Sequence, residues 1–242
     1  MTTHDFASKR KKALDSIQLD AADAVIFDFN GTLSDDEGLL LELLDDIVYR
    51  HLGRRVRPEE YSSRFVGRSD RDILEALVRD AAVPSVKVTV DALLGELVDL
   101  YVASVSTTPR ISRGARELVE ALAGLGLPLA IVTGARREAV LPALEFAGLG
   151  KAFHAVVTER DVAKGKPHPE GLLLASRMLG APLPARTVVF EDSVPGLRAA
   201  AAAGMHSVAV RGSARELDLS LHASLVVDAL TPELVTTVVP GR

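Results

Sequence analysis

Short apolar runs alternate with longer amphipathic segments along most of the chain, and this alternation predicts the fold. Six runs have the length and apolar content of buried strands; they lie at residues 24–29, 127–132, 155–157, 187–190, 206–210 and 225–227. Segments between them have the apolar spacing of helices and glycine stop signals, at residues 112–125, 136–147, 167–179 and 194–203. Strands that alternate with helices form βαβ units, so the sequence predicts an α/β fold with a doubly wound parallel sheet.

The stretch from residue 36 to residue 108 interrupts this alternation, because it carries helical patterns and no convincing strand. Leucines recur at helical spacing through 38–52, Pro58 suits the first turn of a second helix, and a pattern like a capping box at Ser69 opens a third. A fourth helix is predicted over 90–105. We therefore expect a core domain of residues 1–35 and 109–242 and an inserted helical domain of residues 36–108.

Composition indicates an ordinary globular chain, with 48% hydrophobic and 25% charged residues among 242. No apolar run reaches the roughly 18 residues of a membrane helix, and the first residues lack the apolar stretch of a secretory signal. We therefore expect a cytoplasmic protein without a membrane partner. The chain has no cysteine, which excludes disulfides, thiolate catalysis and cysteine-ligated zinc.

The formal net charge of −5 disfavours nucleic acid as a partner, because neutralising phosphates requires a basic face. One local exception is the basic run Lys9, Arg10, Lys11 and Lys12. We interpret this run as the solvated face of an N-terminal helix rather than a polyanion site.

Chemically reactive side chains follow four of the predicted strands. The carboxyl ends of parallel strands meet at one edge of the sheet, where ligands bind in such folds. Carboxylates gathered there repel each other unless a divalent cation lies between them, and Mg²⁺ prefers such hard oxygen ligands. The side chains concerned, in chain order, are Asp28, Thr133, Lys166, Glu191 and Asp192.

A phosphate group would suit this edge of the sheet. A lysine and a hydroxyl beside a divalent cation, here Lys166 and Thr133, complement the charge and the oxygen atoms of a phosphate. The Gly134-Ala135 turn opens the next predicted helix and would offer free backbone N–H groups to an anion. The sequence therefore predicts a magnesium-assisted phosphate site.

These motifs resemble those of the haloacid dehalogenase superfamily, in the branch that includes phosphoglycolate phosphatases and β-phosphoglucomutases. The resemblance extends from Ala24 to Val235 and implies a Rossmann-like core. It also identifies residues 36–108 as the α-helical cap that closes over the sheet edge and selects the substrate. The four motifs lie, in order, at residues 28–33, 133–134, 165–167 and 190–193 with Gly196.

The resemblance implies a role for each residue of the first and fourth motifs. Asp28 would attack phosphorus, become a transient aspartyl phosphate, and also ligate Mg²⁺. Asp192 would be the second carboxylate ligand, and Glu191 an assisting or water-mediated one. The backbone carbonyl of Asn30 would supply a further ligand.

The resemblance also implies how the substrate is held. Thr133 and Gly134 would hydrogen-bond the transferring phosphoryl group, and Lys166 would neutralise Asp28 and the phosphate together. In the cap, Gly67 and Arg68 lie in a stretch similar to the substrate-selecting loop of the family. Arg68 would then reach a carboxylate or a second phosphate of the substrate, while an ordinary surface arginine is the alternative.

Asn30 departs from the family pattern. Phosphatases of the family usually have an aspartate there, which protonates the leaving alkoxide and then activates water. An amide cannot carry a proton, and general acid–base help is typically worth about 10²–10⁴-fold. Three accounts are open: a natural residue with an undemanding leaving group or another acid such as Asp35 or a cap residue, an engineered replacement that traps a complex, or lost catalysis with retained phosphate binding.

The sequence therefore predicts a Mg²⁺-dependent phosphatase of a small phosphorylated metabolite. A phosphosugar mutase and a catalytically weak phosphate-binding protein are the alternatives. A dehalogenase needs no metal, so the acidic pair Glu191-Asp192 argues against one. A phosphonate hydrolase needs a cap lysine, and Lys87, the only lysine between Asp36 and Thr108, lies too far along the cap.

Overall fold

A six-stranded parallel sheet forms the centre of the molecule in the computed structural model, which describes residues 22–81, 88–212 and 216–239. The predicted α/β fold is confirmed. The basic run at residues 9–12 and Lys87 lie outside the described residues. The strands are β1 (Ala24–Phe27), β2 (Leu129–Val132), β3 (Ala155–Val157), β4 (Thr187–Glu191), β5 (His206–Val210) and β6 (Leu225–Val227).

Most of the helices follow the predicted spacing. In chain order they are α1 (Glu37–Leu52), α2 (Pro58–Arg64), α3 (Asp70–Ala81), α4 (Val90–Val105), α5 (Arg113–Gly124), α6 (Arg137–Phe146), α7 (Glu170–Met178), α8 (Val194–Ala202), α9 (Glu216–Ser220) and α10 (Val235–Val238). Within the described residues, no helix is both long enough and apolar enough to cross a bilayer.

The strand order β3-β2-β1-β4-β5-β6 places β1 in the middle of the sheet. Ile26 of β1 pairs with Ala130 of β2 on one side and with Val189 of β4 on the other. The chain winds outward from β1 to β3 and then crosses to β4, so the winding direction reverses between β1 and β4. Ligands of doubly wound sheets bind at such a reversal, beyond the carboxyl ends of the strands.

Helices α1 to α4 pack around an apolar cluster of their own, in which Leu44, Ile47, Phe65 and Leu74 are fully buried. Burying one such side chain contributes about 1.5–3 kcal/mol, so this cluster stabilises the helical segment independently of the sheet. The two segments that connect these helices to the sheet, before α1 and after α4, lie side by side. The Asp35 N–H of the first donates to the Arg110 carbonyl oxygen of the second at 2.9 Å.

Helix α7 begins at Glu170, three residues after the predicted start at position 167. The residues before it form a turn in which the His168 N–H donates to the Gly165 carbonyl oxygen at 3.0 Å. The Glu170 carboxylate accepts the backbone N–H groups of Ala163, at 2.8 Å, and Lys164, at 3.1 Å. This glutamate therefore ties down the loop that carries Lys166.

Candidate active site

Three buried carboxylates meet at the carboxyl edge of the sheet. Asp28 directly follows β1, Glu191 ends β4, and Asp192 comes next in the chain. One oxygen atom of each lies within 4.8 Å of the other two. The Asp28 N–H donates to the Phe190 carbonyl oxygen at 2.9 Å, which holds the end of β1 against the end of β4. The parallel sheet thus brings these three side chains together.

Repulsion among the three carboxylates changes their acid–base properties. Burial first, and then the charge of Glu191, raise the pKa of Asp28 to about 7. The pKa of Asp192 is raised as well, by burial and then by the charges of Glu191 and Asp28. Low polarity and a neighbouring like charge both disfavour the ionised form of a carboxyl group. The cluster therefore needs positive charge to stay ionised.

Lys166 supplies part of that charge from the loop before α7. Its Nζ donates to Asp28 Oδ1 at 2.6 Å and to Glu191 Oε2 at 2.7 Å. Burial alone would lower the pKa of Lys166, but the charges of Asp28 and Glu191 outweigh burial and raise its pKa above the ordinary value. Lys166 therefore stays protonated, and one positive charge faces three carboxylates.

The environment of Asp192 fits a metal ligand. Its Oδ1 accepts the Thr32 hydroxyl at 3.0 Å, while its buried Oδ2 has no hydrogen-bond partner among the described residues. A Cβ atom at Gly31 would lie 2.4 Å from this Oδ2, and one at Gly212 would lie 3.0 Å from it. Leaving a buried carboxylate oxygen unpaired is costly, and a divalent cation would satisfy it.

Glu191 is more fully occupied by protein groups than Asp192. Its Oε1 accepts the Ser193 N–H at 3.0 Å and the Ser193 hydroxyl at 2.6 Å, and its Oε2 accepts Lys166. A Cβ atom at Gly196 would lie 2.0 Å from the Glu191 carboxyl carbon, so only glycine fits there. This arrangement suits an assisting carboxylate that orients its neighbours.

Thr133 follows β2 and faces the same cavity as Asp28 and Lys166. Its hydroxyl oxygen accepts the Ala135 N–H at 3.0 Å, so the hydroxyl hydrogen is left to be donated. The expectation of a free backbone N–H at Ala135 is therefore wrong, because Thr133 already uses that group. The turn offers a hydroxyl donor in its place.

A loop of the helical segment rests directly on this turn. A Cβ atom at Gly134 would lie 2.9 Å from the Ser69 Cα, and one at Gly67 would lie 2.6 Å from the Ser193 Oγ. The Asp70 N–H also donates to the Gly134 carbonyl oxygen, at 3.3 Å. Gly67, with a φ of 80°, adopts a left-handed conformation that glycine tolerates. The close contacts require glycine at both positions.

These elements enclose a small cavity of about 30 Å³. That volume holds little more than one or two water molecules. A larger cavity of about 290 Å³ adjoins it and shares Gly67, Thr133, Gly134 and Lys166 with it. The exposed residue Arg68 lines the small cavity. The polar residues lining the small cavity include Asp28, Asn30, Glu37, Tyr61, Arg68, Asp70, Thr133, Lys166 and Asp192.

Asn30 lines this cavity, and its side chain is anchored by Asp36. The Asn30 Nδ2 donates to Asp36 Oδ2 at 2.9 Å, and the Tyr101 hydroxyl of α4 donates to the same oxygen at 2.5 Å. Asp36 is only 1% exposed. Burial raises the pKa of Asp36 to about 6, and the hydrogen bonds from its neighbours oppose that rise. Asp36 therefore holds the amide of Asn30 in one orientation.

Several residues of the cavity were not singled out from the sequence. Asp35, the acid considered there, is exposed and lines a different cavity beside Arg110. Glu37 and Tyr61 face Asp28 instead, and the Tyr61 hydroxyl hydrogen-bonds the Glu37 carboxylate. The acidic run at residues 35–37 indicates that a carboxyl group could lie near the first motif. The sequence does not show which of its side chains points into the cavity.

Comparisons with known proteins agree with this geometry. The chain is 28% identical to a bifunctional riboflavin kinase/FMN phosphatase of Arabidopsis thaliana, over 85% of this chain and 53% of that protein, so it spans about half the length of that relative. It is 30% identical to a phosphoglycolate phosphatase of Shigella boydii, over 76% and 79% of the two chains. Its fold matches a β-phosphoglucomutase of Clostridium difficile with a TM-score of 0.75 at 21% identity, over 88% and 93% of the two chains.

A family model matches most of the chain. The model describes haloacid dehalogenase-like hydrolases and covers residues 22–204, which include all four motifs identified in the sequence. The matched range begins just before β1 and ends just after α8. The chain belongs to the haloacid dehalogenase-like hydrolases.

Proposed function

We propose that this protein is a Mg²⁺-dependent phosphatase that hydrolyses a small phosphorylated metabolite through an aspartyl phosphate on Asp28. The observation that carries the proposal is the arrangement around Lys166, whose Nζ bridges Asp28 and Glu191 beside the unpaired Asp192 oxygen. This arrangement fits a phosphoryl group and a divalent cation. The names of the FMN phosphatase and phosphoglycolate phosphatase relatives also indicate phosphorylated substrates.

Each polar residue then has a chemical role. Asp28 attacks phosphorus, and Thr133 donates its hydroxyl hydrogen to a phosphoryl oxygen. Lys166 stabilises the negative charge that spreads over the phosphoryl oxygens in the transition state. Asp28, Asp192 and the backbone carbonyl of Asn30 would hold Mg²⁺, with Glu191 assisting. The cation, when bound, neutralises the charge of the nucleophile and the phosphate.

The helical segment has the role of a cap in this proposal. Its loop at residues 67–70 packs on Gly134 and lines the cavity together with Thr133. A cap in this position would limit the access of water to a bound substrate. We assign the cap to residues 36–108 and substrate contacts to Gly67 and Arg68.

Phosphate release from acetyl phosphate and p-nitrophenyl phosphate tests the proposal. We expect turnover with Mg²⁺, loss of turnover in a chelator, and loss of turnover in Asp192→Ala. Lys164→Ala is the control, because Lys164 is exposed and lies beside the catalytic loop lysine in sequence. Full activity in the chelator would contradict the metal requirement, and an absence of turnover under all conditions would contradict the phosphatase.

One observation favours a second candidate, a protein that binds a phosphorylated ligand and turns it over weakly. Asn30 carries no ionisable proton, and its amide is engaged by Asp36. Tight Mg²⁺-dependent binding of phosphate analogues without turnover of acetyl phosphate would indicate this second function.

A further inference from the structure

We propose that Asp70, contributed by α3, is the general acid and base of the reaction and supplies the proton that Asn30 cannot. The inference rests on the proposed phosphatase function. It starts from the chemistry of the leaving group, because an alkoxide is too basic to depart readily without a proton. Asn30 cannot deliver one, since its amide does not ionise and its Nδ2 donates to Asp36.

The structure narrows the search for another acid. Asp36 contacts Asn30 but does not line the cavity of Asp28, and Asp35 lines a different cavity. Within the described part of the chain, the carboxyl groups that line the small cavity outside the metal cluster are Glu37 and Asp70. The Tyr61 hydroxyl donates to the Glu37 carboxylate, so Glu37 is already engaged by a protein group. Asp70 remains.

The position of Asp70 is fixed against the phosphoryl site. It is the first residue of α3, and its N–H donates to the carbonyl oxygen of Gly134, the residue after Thr133. The preceding residue, Ser69, packs so closely on Gly134 that a Cβ atom there would lie 2.9 Å from the Ser69 Cα. The helix start is held further by the Asp72 N–H, which donates to the Ser69 hydroxyl at 3.1 Å. The start of α3 thus places Asp70 at the wall of the cavity.

The surroundings of Asp70 favour its protonated form. The charged groups that face it are Glu159 from the core, Asp36 and Glu37 from the start of α1, and Arg136 before α6. Burial first, and then the charges of the three carboxylates, raise the pKa of Asp70 to about 7, with Arg136 opposing them. A carboxyl group in this range can both give and accept a proton near neutral pH.

The proposed proton transfers balance over the two half-reactions. As Asp28 attacks phosphorus, the bond between phosphorus and the leaving oxygen breaks, and the Asp70 carboxyl gives its proton to that oxygen. The Asp70 carboxylate then takes a proton from the water that attacks the aspartyl phosphate. Hydrolysis releases phosphate, restores the Asp28 carboxylate and leaves Asp70 protonated again.

Leaving-group dependence tests the role of Asp70. We expect Asp70→Asn to lower kcat/KM for an alkyl phosphate such as glycerol 2-phosphate by about 10²-fold or more, because general acid–base help is worth that much. The kcat/KM for acetyl phosphate and p-nitrophenyl phosphate should fall by less than about fivefold, since these leaving groups need little protonation. Their kcat should fall further, because hydrolysis of the aspartyl phosphate loses its base whatever the leaving group. Asp99→Asn, an exposed aspartate of α4 in the same helical segment, is the matched control and should leave all three rates unchanged.

Two outcomes would overturn the assignment of Asp70. An equal loss of kcat/KM with all three substrates would mean that Asp70 only maintains the shape of the site, and an unchanged kcat/KM for the alkyl phosphate would mean that another group carries the proton. In both cases the parent still turns over acetyl phosphate with Mg²⁺, so the phosphatase proposal stands. Failure of the parent to turn over acetyl phosphate would instead refute the phosphatase and the Asp70 role together.

Discussion

Replacing Asn30 by aspartate tests whether Asn30 and Asp36 act as a pair. The substitution restores the residue that phosphatases of the family usually have, and the sequence alone predicts a gain in the hydrolysis of alkyl phosphates. The structure indicates that the substitution also destabilises the fold, because the Asn30 Nδ2 lies 2.9 Å from Asp36 Oδ2. In Asn30→Asp a carboxylate oxygen takes the place of this donor, so two buried carboxylates face each other.

The loss in free energy of unfolding that these two facing carboxylates cause depends on pH. Two unit charges at the 2.9 Å separation repel each other by about 6 kcal/mol at an effective dielectric constant of about 20. The pair avoids most of this repulsion by binding one proton. The pKa of Asp36 is already about 6, so holding a proton there costs about 3 kcal/mol at pH 8 and less than about 1 kcal/mol at pH 6.

Thermal unfolding at the two pH values measures this cost. Because the folded variant binds an extra proton, its stability falls as pH rises. We expect Asn30→Asp to lower Tm by about 6–12 °C at pH 8, at about 2–4 °C per kcal/mol for a chain of this size. The shift at pH 6 should be small. The double variant with Asp36→Asn restores one amide and one carboxylate with their positions exchanged, and should recover the parent Tm at both pH values.

The same two variants also test how a carboxyl at position 30 changes the rate of alkyl phosphate hydrolysis. Because Asp70 is proposed to supply the proton already, the double variant should hydrolyse alkyl phosphates at about the parent rate. Introduced into Asp70→Asn, the same two changes should restore up to the 10²–10⁴-fold or so that general acid–base catalysis supplies. In that Asp70→Asn background, Asn30→Asp alone should restore less of the rate at pH 8, because its new carboxyl shares a proton with Asp36. The reasoning is refuted if the single variant matches the parent in Tm at pH 8 and, in the Asp70→Asn background, also reaches the rate of the double variant.

Three further substitutions test the charges around the cavity. Lys166→Ala should weaken the binding of phosphate analogues by about tenfold or more in calorimetry, whereas Lys164→Ala should bind like the parent, because the Lys166 charge is held between Asp28 and Glu191. Asp192→Ala should abolish the rise in Tm that Mg²⁺ gives the parent, and an unchanged rise would place the metal elsewhere. In chelator, the free energy of unfolding of Asp70→Asn should differ least from that of the parent below about pH 4, and its advantage should grow as pH rises to about 7, reaching about 1–2 kcal/mol at pH 8. The reason is that the folded parent holds the proton of Asp70, whose pKa is about 7, while the unfolded chain releases it above its ordinary pKa.

The fold and the carboxylate cluster follow from local signals in the sequence. Apolar runs of strand length and helical spacing predict a parallel sheet, and in such a sheet the ends of β1 and β4 must be neighbours once they pair. Asp28 and Asp192 could therefore be placed together without coordinates. Lys166 was predicted from its loop position, although the Glu170 contacts that hold the loop were not.

The side of the cavity that the helical segment forms could not be predicted in the same way. Asp35 and Asp36 are adjacent in sequence, yet Asp35 is exposed while Asp36 is buried against Asn30 and Tyr101. Tyr101 lies 65 residues away from Asp36, so no local pattern indicates their contact. The sequence predicts only that Asp70 belongs to the start of a helix, and α3 does begin at Asp70. Its place in the cavity depends on how α3 docks on the turn at Gly134, which is a tertiary contact.

Capture of a phosphorylated enzyme tests the covalent mechanism most directly. The protein is mixed with acetyl phosphate and Mg²⁺, quenched in acid within the first turnover, digested and analysed by mass spectrometry, with Asp28→Asn as the control. We predict one phosphoryl group on the peptide that contains Asp28, labile to hydroxylamine as an acyl phosphate should be, and absent from Asp28→Asn. Continued phosphate release by Asp28→Asn, or a phosphoryl group on any other residue, would contradict the mechanism.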